Sequence, residues 1–205
     1  ETRLRLAFRQ LNRGMLLLWR LGLGCLINIW PTVGGRIMVI QHIGRKTGQV
    51  RHTPVNYAQV DGEIYCTAGF GAMSHWYRNL QDNPEVEIWL PNGRFHALAQ
   101  DITDQPNTLP ILRQVLINSG FAAPAFNLYP KTMPDAELSA ATAHYRLIRF
   151  NRQKPAAGQA DLVWVWPMAA LLLWIWFRKG AALVKRLGRL DCCQTTADHR
   201  FPDFI

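Results

Sequence analysis

The chain has 205 residues, 49% of them apolar, and this length suits one domain with an appendage. Its 23 basic against 14 acidic side chains give a formal charge of +9, which implies an anionic partner such as a phosphorylated ligand or an anionic lipid surface. No known nucleic-acid-binding motif is present, so we expect no nucleic acid partner. Four cysteines without a paired framework favour a reducing compartment and give no metal site.

The N-terminal segment has a helical period. Within residues 3–29, arginines fall on one stripe and apolar side chains fall on the opposite stripe. We therefore predict one amphipathic helix here, within an N-terminal region of residues 1–30. The helix either packs on its own domain with its arginines in water or lies on an anionic membrane surface, and both alternatives stay open.

From Arg36 to about Asp104 the pattern changes to short extended runs separated by turns. The predicted strands are residues 36–43, 51–60, 63–70, 85–90, 94–103 and 144–150. Residues 74–83 predict a short helix capped by Ser74, and residues 108–120 predict a helix closed by Gly120. Short antiparallel strands with interleaved helices predict an α+β fold built on a small barrel with flanking helices.

After Asn151 the composition changes. Residues 152–160 predict a linker, and residues 162–177 form a charge-free run that holds four of the eight tryptophans. Tryptophans at both ends of an apolar run are typical of membrane interfaces, although a spanning helix needs about 20 apolar residues. The run therefore crosses the bilayer, lies in one leaflet of it, or docks beside another subunit. We predict that residues 152–205 comprise a linker, a hydrophobic membrane-anchor helix and a basic tail.

A basic turn stands between the first two predicted strands. The sequence GRKTGQVRHTPV, residues 44–55, places Arg45, Lys46, Thr47 and Arg51 around two glycines and contains no carboxylate. Such side chains form charge-assisted bonds with oxyanions, and glycines let backbone N–H groups approach the ligand. The turn therefore predicts an anion site, with a solvated loop as the alternative.

Three separated motifs resemble the deazaflavin-dependent nitroreductase family, whose members are split β-barrel proteins related to flavin reductases. The motifs are the GRKTG turn at 44–48, the AGFG turn at 68–71, and WYRNL at 76–80 before Asn83 and Pro84. The resemblance covers about residues 15–151 and implies a split β-barrel cofactor-binding domain over residues 31–151. The tail after Asn151 lies outside it.

The resemblance implies that the chain binds coenzyme F420, a deazaflavin with a phosphate and a glutamate tail. The residues that it places at the phosphate are Arg45, Lys46, Thr47 and Arg51. The residues that it places at the pocket floor, around the deazaflavin ring or on the short helix that closes the site are Pro54, Val55, Thr67, Ala68, Gly69, Phe70, Trp76, Tyr77 and Asn79.

The substrate half of the pattern departs from this family. Several members carry Ser where Gly69 stands and Tyr where Asn56 stands, and their tyrosine-rich substrate loop is represented here by FNLYPKTMP, residues 126–134. Asn56 and Tyr129 are therefore the candidate substrate-binding residues. Because the cofactor carries hydride chemistry, we expect no catalytic residue and no metal ligand from the protein.

These patterns predict a deazaflavin-dependent oxidoreductase that transfers a hydride from reduced F420 to a lipid-soluble acceptor at the membrane. The acceptor is a quinone or a nitro compound, the barrel lies on the cytoplasmic side, and membrane lipid and other membrane-protein subunits are the expected partners. One alternative is a flavin, FMN, or a haem in the same pocket. The other is a non-catalytic accessory subunit of a membrane protein complex, which keeps the split-barrel fold without a cofactor.

Overall fold

A computed structural model describes residues 2–29, 31–157 and 162–176 of the chain. The chain divides into two compact units, Glu1–Leu162 and Val163–Ile205. The first unit contains the barrel. The predicted boundaries of the three regions at residues 30 and 151 stay predictions.

Six antiparallel strands form a closed barrel in the order β1-β2-β3-β6-β5-β4. The strands are β1 (Ile37–Ile43), β2 (Val50–Val60), β3 (Glu63–Ala68), β4 (Glu85–Leu90), β5 (Gly93–Asp101) and β6 (Arg146–Pro155). The expected α+β fold with a small barrel and flanking helices is therefore confirmed.

Helices precede and interrupt the strands of this unit. They are α1 (Thr2–Arg20), α2 (Gly24–Ile27), α3 (Pro31–Gly34), α4 (His75–Asp82), α5 (Thr108–Ile117), α6 (Ala122–Ala125) and α7 (Asp135–Ala141), with a 3-10 helix at Gly71–Met73. In the second unit, residues 165–176 are helical. The predicted helices at 74–83 and 108–120 correspond to α4 and α5, whereas α6 and α7 were not predicted.

The period-two alternation of the strands fills the barrel with apolar side chains. Met38 and Ile40 of β1 are fully buried in the same cluster as Phe150 of β6. Val39, between them on the opposite face of β1, packs instead against Trp19 of α1. Each such buried side chain contributes roughly 1.5–3 kcal/mol to stability, so the alternation fixes which side chains of β1 enter the barrel.

Helix α4 covers the end of the barrel at which β1, β3 and β5 end. Its side chains Tyr77 and Leu80 belong to the central buried cluster, and Trp76 packs against that cluster. The turn between β1 and β2 lies at the same end, because it follows the last residue of β1. This arrangement brings two of the three sequence motifs together.

The prediction of a single N-terminal helix over residues 3–29 is wrong about where that helix ends. Helix α1 ends at Arg20, because Gly22 adopts a positive φ of 80° and the backbone N–H of Leu23 donates to the carbonyl of Leu18 over 2.9 Å. This is the Schellman arrangement, in which a glycine terminates a helix. Buried Trp19 fixes the end of α1 on the barrel.

Two other predicted ends differ from the structure by three residues or more. Strand β6 continues to Pro155, into the segment expected to be a linker, because Arg152 pairs with Ala97 of β5 across an irregularity and its guanidinium lies 5.5 Å above the ring of Phe95. Helix α5 ends at Ile117 rather than at Gly120. Gly120 has a φ of 57°, and its backbone passes so close to α3 that an added Cβ would lie 2.4 Å from the carbonyl oxygen of Val33.

Ser74 stands at the N-cap position of α4 but makes no side-chain capping bond, so that part of the prediction is wrong. Within the described residues, no helix combines the length and the apolar character that crossing a bilayer requires. The expected linker residues 158–160 and the basic tail from Arg178 onward lie outside the described residues.

Candidate anion-binding turn and cofactor site

Two glycines shape the turn that joins β1 to β2. The N–H of Gly44 donates to the carbonyl of Gln49 over 2.9 Å, and the N–H of Gly48 donates back to the carbonyl of Gly44 over 2.8 Å. Gly48 has a φ of 66°, which glycine adopts without strain. A Cβ on Gly44 would lie 2.7 Å from Nε of Arg51, so this arginine can fold over the turn only because residue 44 is a glycine.

Arg45 connects the turn to α4. Its backbone N–H and its Nη1 both donate to Oδ1 of Asn79, over 3.3 and 3.0 Å, and Nη1 also lies 3.4 Å from the carbonyl of His75. Asn79 is buried, with 4% of its surface exposed. The guanidinium of Arg45 therefore faces the protein and holds the turn against α4.

Three neighbouring donors of the turn face solvent. Lys46, Thr47 and Arg51 are exposed, and Nη2 of Arg51 lies 3.5 Å from Oγ1 of Thr47. Among residues 2–29, 31–157 and 162–176, no carboxylate forms an ion pair with these two cations or with Arg45. An ammonium, a guanidinium and a hydroxyl on a glycine-shaped turn fit the oxygens of a phosphate, as the predicted cofactor requires.

His42, at the end of β1, lies beneath this cluster. It is 2% exposed, its Nε2 lies 3.0 Å from Oγ1 of Thr53, and Nδ2 of Asn79 lies 3.2 Å from its Nδ1. Burial lowers the pKa of His42 from 6.5 to about 4, so the imidazole is neutral at pH 7. His42 was not among the predicted site residues, because a single His in an apolar strand carries no local signal.

Tyr77 occupies a different polar network at the same barrel end. Its hydroxyl donates to Oδ2 of Asp101 over 2.5 Å, and the N–H and hydroxyl of Thr103 donate to Oδ1 of Asp101 over 2.9 and 2.5 Å. Burial and this carboxylate raise the pKa of Tyr77 to about 12. Although burial alone would raise the pKa of Asp101, the bonds from Thr103 and Tyr77 hold it below its usual value. The structure thus directs the Tyr77 hydroxyl to Asp101.

The predicted ring-bordering residues form the end of β3 and the bend that follows it. Thr67 and Ala68 pair with β6. A Cβ on Gly69 would lie 3.4 Å from the ring of Tyr145, which is an ordinary contact, so this position has room for a small side chain. Phe70 is 42% exposed and meets the ring of Phe126 edge to face, with centroids 5.9 Å apart.

The remaining predicted residues are spread over the barrel. Pro54 is buried opposite Val39, and Val55 packs against the central cluster. Asn56 pairs with the first residue of β1, about 20 Å along the strand from the basic turn at its other end, so it does not belong to the turn cluster. Tyr129 lies after α6 and is 53% exposed. The cofactor and substrate roles of these residues stay predictions.

A polar cavity of about 330 Å³ lies across β1, β4 and β5. Gln41, Glu85, Glu87 and His96 line it, and it shares His42 with the turn cluster. None of the predicted cofactor residues lines this cavity. Within the described residues, no group of three or more His, Cys, Asp or Glu side chains is placed to hold a metal ion.

Comparison with known proteins locates a family match in the barrel. The family model described as F420H(2)-dependent quinone reductase matches residues 26–124, a shorter range than the 15–151 expected from the motifs. All three sequence motifs lie inside the matched range. It extends from α2 to α6 and thus includes the basic turn, the bend after β3 and helix α4.

Several solved structures are similar to this chain at low identity. A conserved hypothetical protein of Mycobacterium tuberculosis is 17% identical with a TM-score of 0.45, over 67% of this chain and 84% of that one. An F420-H2-dependent reductase is 19% identical with a TM-score of 0.39, over 57% and 94%. The heme storage protein of Vibrio cholerae is 13% identical with a TM-score of 0.38, over 63% and 89%.

The family match and the cluster formed by the turn and α4 cover the same part of the chain. The turn and α4, which the sequence separates by about 30 residues, form one cluster in the structure. Residues 26–124 match the model of the F420H(2)-dependent quinone reductase family, so the resemblance to F420-dependent reductases that the three motifs predicted is confirmed.

Proposed function

We propose that this protein is an F420-dependent oxidoreductase that passes a hydride from the reduced deazaflavin to a lipid-soluble acceptor, with a quinone as the first candidate. The observation that carries the proposal is the basic turn. Lys46, Thr47 and Arg51 present exposed donors, and Arg45 and Asn79 hold the turn against α4. The match to the F420H(2)-dependent quinone reductase family supports the same conclusion.

In this proposal the protein binds and orients, while F420, when bound, supplies the hydride. Lys46, Thr47 and Arg51 hold the phosphate, because they are the donors of the turn that face solvent. Arg45 maintains the shape of the turn through Asn79. This division differs from the initial expectation, in which Arg45 was one of the phosphate ligands.

An exposed apolar surface beside Gly69 supports an apolar acceptor. Phe70 and Met73 are 42% and 66% exposed, and Phe121 and Phe126 are 50% and 38% exposed. Phe70 contacts Phe126, so the surface is continuous from the bend after β3 to helix α6. An exposed apolar surface of this kind favours a ligand that gains by leaving water, as a quinone with a lipid tail does. A nitro compound is the second acceptor class.

We also propose that the protein works at a membrane surface with its barrel on the cytoplasmic side. Leu11, Leu17 and Leu18 of α1 are 44%, 50% and 39% exposed, and Arg13 is exposed on the same helix. Apolar and cationic side chains on one helix favour contact with an anionic bilayer. The formal charge of +9 acts in the same direction.

The cofactor proposal is tested by titrating the full chain with F420, FMN and haem. We expect F420 to bind most tightly. A Lys46→Ala/Arg51→Ala variant should lose at least tenfold in F420 affinity, because each charge-assisted bond contributes roughly 1.5–3 kcal/mol before solvent screening. The matched control is Lys131→Ala/Lys154→Ala, which removes two exposed cations elsewhere and should keep the affinity.

Two results would contradict this proposal. Equal F420 affinities in the two double variants would make the turn a solvated loop. If F420, FMN and haem all fail to bind below millimolar concentration, the protein is not such an enzyme, and the accessory subunit of a membrane complex becomes the better hypothesis.

The membrane proposal is tested with vesicles and a truncated chain. The full chain should float with vesicles that contain phosphatidylglycerol, and a high-salt wash should not release it, because salt screens charge attraction but not apolar insertion. A chain that ends at Leu162 should keep F420 binding and the reduction of short-tailed quinones but lose turnover of long-tailed ones. Complete release by salt would exclude an apolar anchor.

A further inference from the structure

We propose that Thr53, His42 and Asn79 form a positioning relay that fixes Arg45 and thereby sets the affinity of the basic turn for its oxyanion. The inference rests on the proposed function for the identity of that oxyanion, the cofactor phosphate. The relay itself is a continuous row of hydrogen bonds from β2 through β1 to α4 and back to the turn.

The direction of each bond in the relay follows from the one before it. Oδ1 of Asn79 must face Arg45, because both groups that Arg45 presents there are donors. The amide nitrogen Nδ2 is then left to donate to Nδ1 of His42. The imidazole therefore carries its proton on Nε2, which donates to Oγ1 of Thr53.

Only one arrangement of the relay satisfies every partner. A rotated Asn79 amide would place its NH₂ group against the N–H and Nη1 of Arg45 and its oxygen against the lone pair of His42. Both His42 and Asn79 are almost completely buried, so water cannot replace the lost bonds. The donors of Arg45 thus select the orientation of Asn79, and the Thr53 hydroxyl, by accepting from Nε2, stabilises the His42 tautomer that this orientation requires.

The relay acts on the turn before any ligand arrives. Asn79 holds both the backbone N–H and the side chain of Arg45, and the following residues, Lys46 and Thr47, are exposed with few bonds of their own. Without the relay, the ligand must order these side chains itself, which lowers affinity. For one or two immobilised side chains the loss is roughly three- to tenfold.

The test uses a variant that keeps the shape of Thr53. Thr53→Val removes the hydroxyl without changing the volume of the side chain, and Thr53→Ser restores it. The matched control is Thr142→Val. Thr142 is the C-cap residue of α7, and its buried hydroxyl donates to the carbonyl of Leu138 over 2.7 Å. Each full-length protein is titrated with inorganic phosphate, and the NMR shifts of the turn amides report binding. A separate titration uses F420.

We expect Thr53→Val to weaken both phosphate and F420 binding three- to tenfold, while kcat at saturating F420 stays unchanged. Thr53→Ser and Thr142→Val should bind as the wild type does. The ¹⁵N shifts of His42 should show the Nε2–H tautomer in the wild type and a mixture of tautomers in Thr53→Val, a change that a merely structural role would not produce.

The outcomes separate this inference from the proposed function. Equal phosphate affinity in the wild type and Thr53→Val would overturn the relay, as would the absence of any phosphate-dependent shift in the turn amides of the wild type. A wild type that binds phosphate and loses affinity in Thr53→Val, yet does not bind F420, would support the relay and contradict the F420 assignment.

Discussion

Acid should destabilise the folded protein through His42, well above the pH at which carboxylates protonate. Burial, with smaller effects from Arg51 and His52, lowers the pKa of this histidine from 6.5 to about 4. The unfolded chain therefore takes up a proton at His42 as the pH falls below 6.5, whereas the folded chain does so only near pH 4. The stability that the neutral histidine contributes is complete above pH 6.5 and is lost as the pH falls toward 4.

The size of this loss follows from the two pKa values. Between pH 7.5 and pH 5.5 the free energy of unfolding should fall by about 1.4 kcal/mol, and by pH 4.5 the loss should reach about 2.5 kcal/mol. Asp101, whose pKa is lowered, contributes a loss only below its ordinary value of 3.8, so it does not interfere in this range.

Urea unfolding followed by tryptophan fluorescence measures this loss at each pH. The comparison is between the wild type and His42→Gln, and the quantity that matters is the difference in their pH dependence rather than the absolute stability of the variant. His96→Gln, which removes an exposed histidine, should keep the wild-type dependence. If His42→Gln loses stability between pH 7.5 and 4.5 as steeply as the wild type, the buried neutral histidine is not the cause.

Three further predictions concern positions outside the turn. Gly71→Ala should lower the free energy of unfolding by about 2–4 kcal/mol, because Gly71 has a φ of 54° and its added Cβ would collide with the carbonyl of His144; an unchanged urea midpoint would show that the bend can move. Tyr77→Phe should cost about 1.5–3 kcal/mol, because the hydroxyl that bonds the Asp101 carboxylate is lost; a thermal midpoint equal to that of the wild type would contradict the bond. Burial raises the pKa of the Cys66 thiol, so this residue should react with a thiol reagent only in urea, and rapid labelling in buffer would contradict its burial.

Local patterns were sufficient to predict the strands but not how the chain brings its polar groups together. The alternation in Ile37–Ile43 identifies β1 because every second side chain must enter the barrel. The four-residue helix α6 offers no such period and was missed. Strand β6 was predicted too short, because its polar end is stabilised by pairing with β5, a partner about 50 residues away in sequence.

Some residues of the candidate site could likewise be predicted from local sequence, whereas the contacts between them could not. Arg45, Lys46, Thr47 and Arg51 could be selected from sequence because they are adjacent to one another and to glycines. That Arg45 is bonded to Asn79, 34 residues later, follows only from the packing of α4 on the barrel end. The partnership of His42 with Asn79 depends on the same packing.

The position of β6 in the barrel has a consequence for the order of folding. It is the last strand of the part of the chain that the structure describes, yet it lies between β3 and β5 and pairs with both. During synthesis the hairpins β1–β2, β2–β3 and β4–β5 can form locally, whereas closure must wait until Pro155 has been made. Until then β3 and β5 present unpaired edges, which are templates for association with other chains. A chain that is cut short before residue 146 would therefore present an open sheet that is prone to aggregation, and the synthesis of β6 removes both of these unpaired edges.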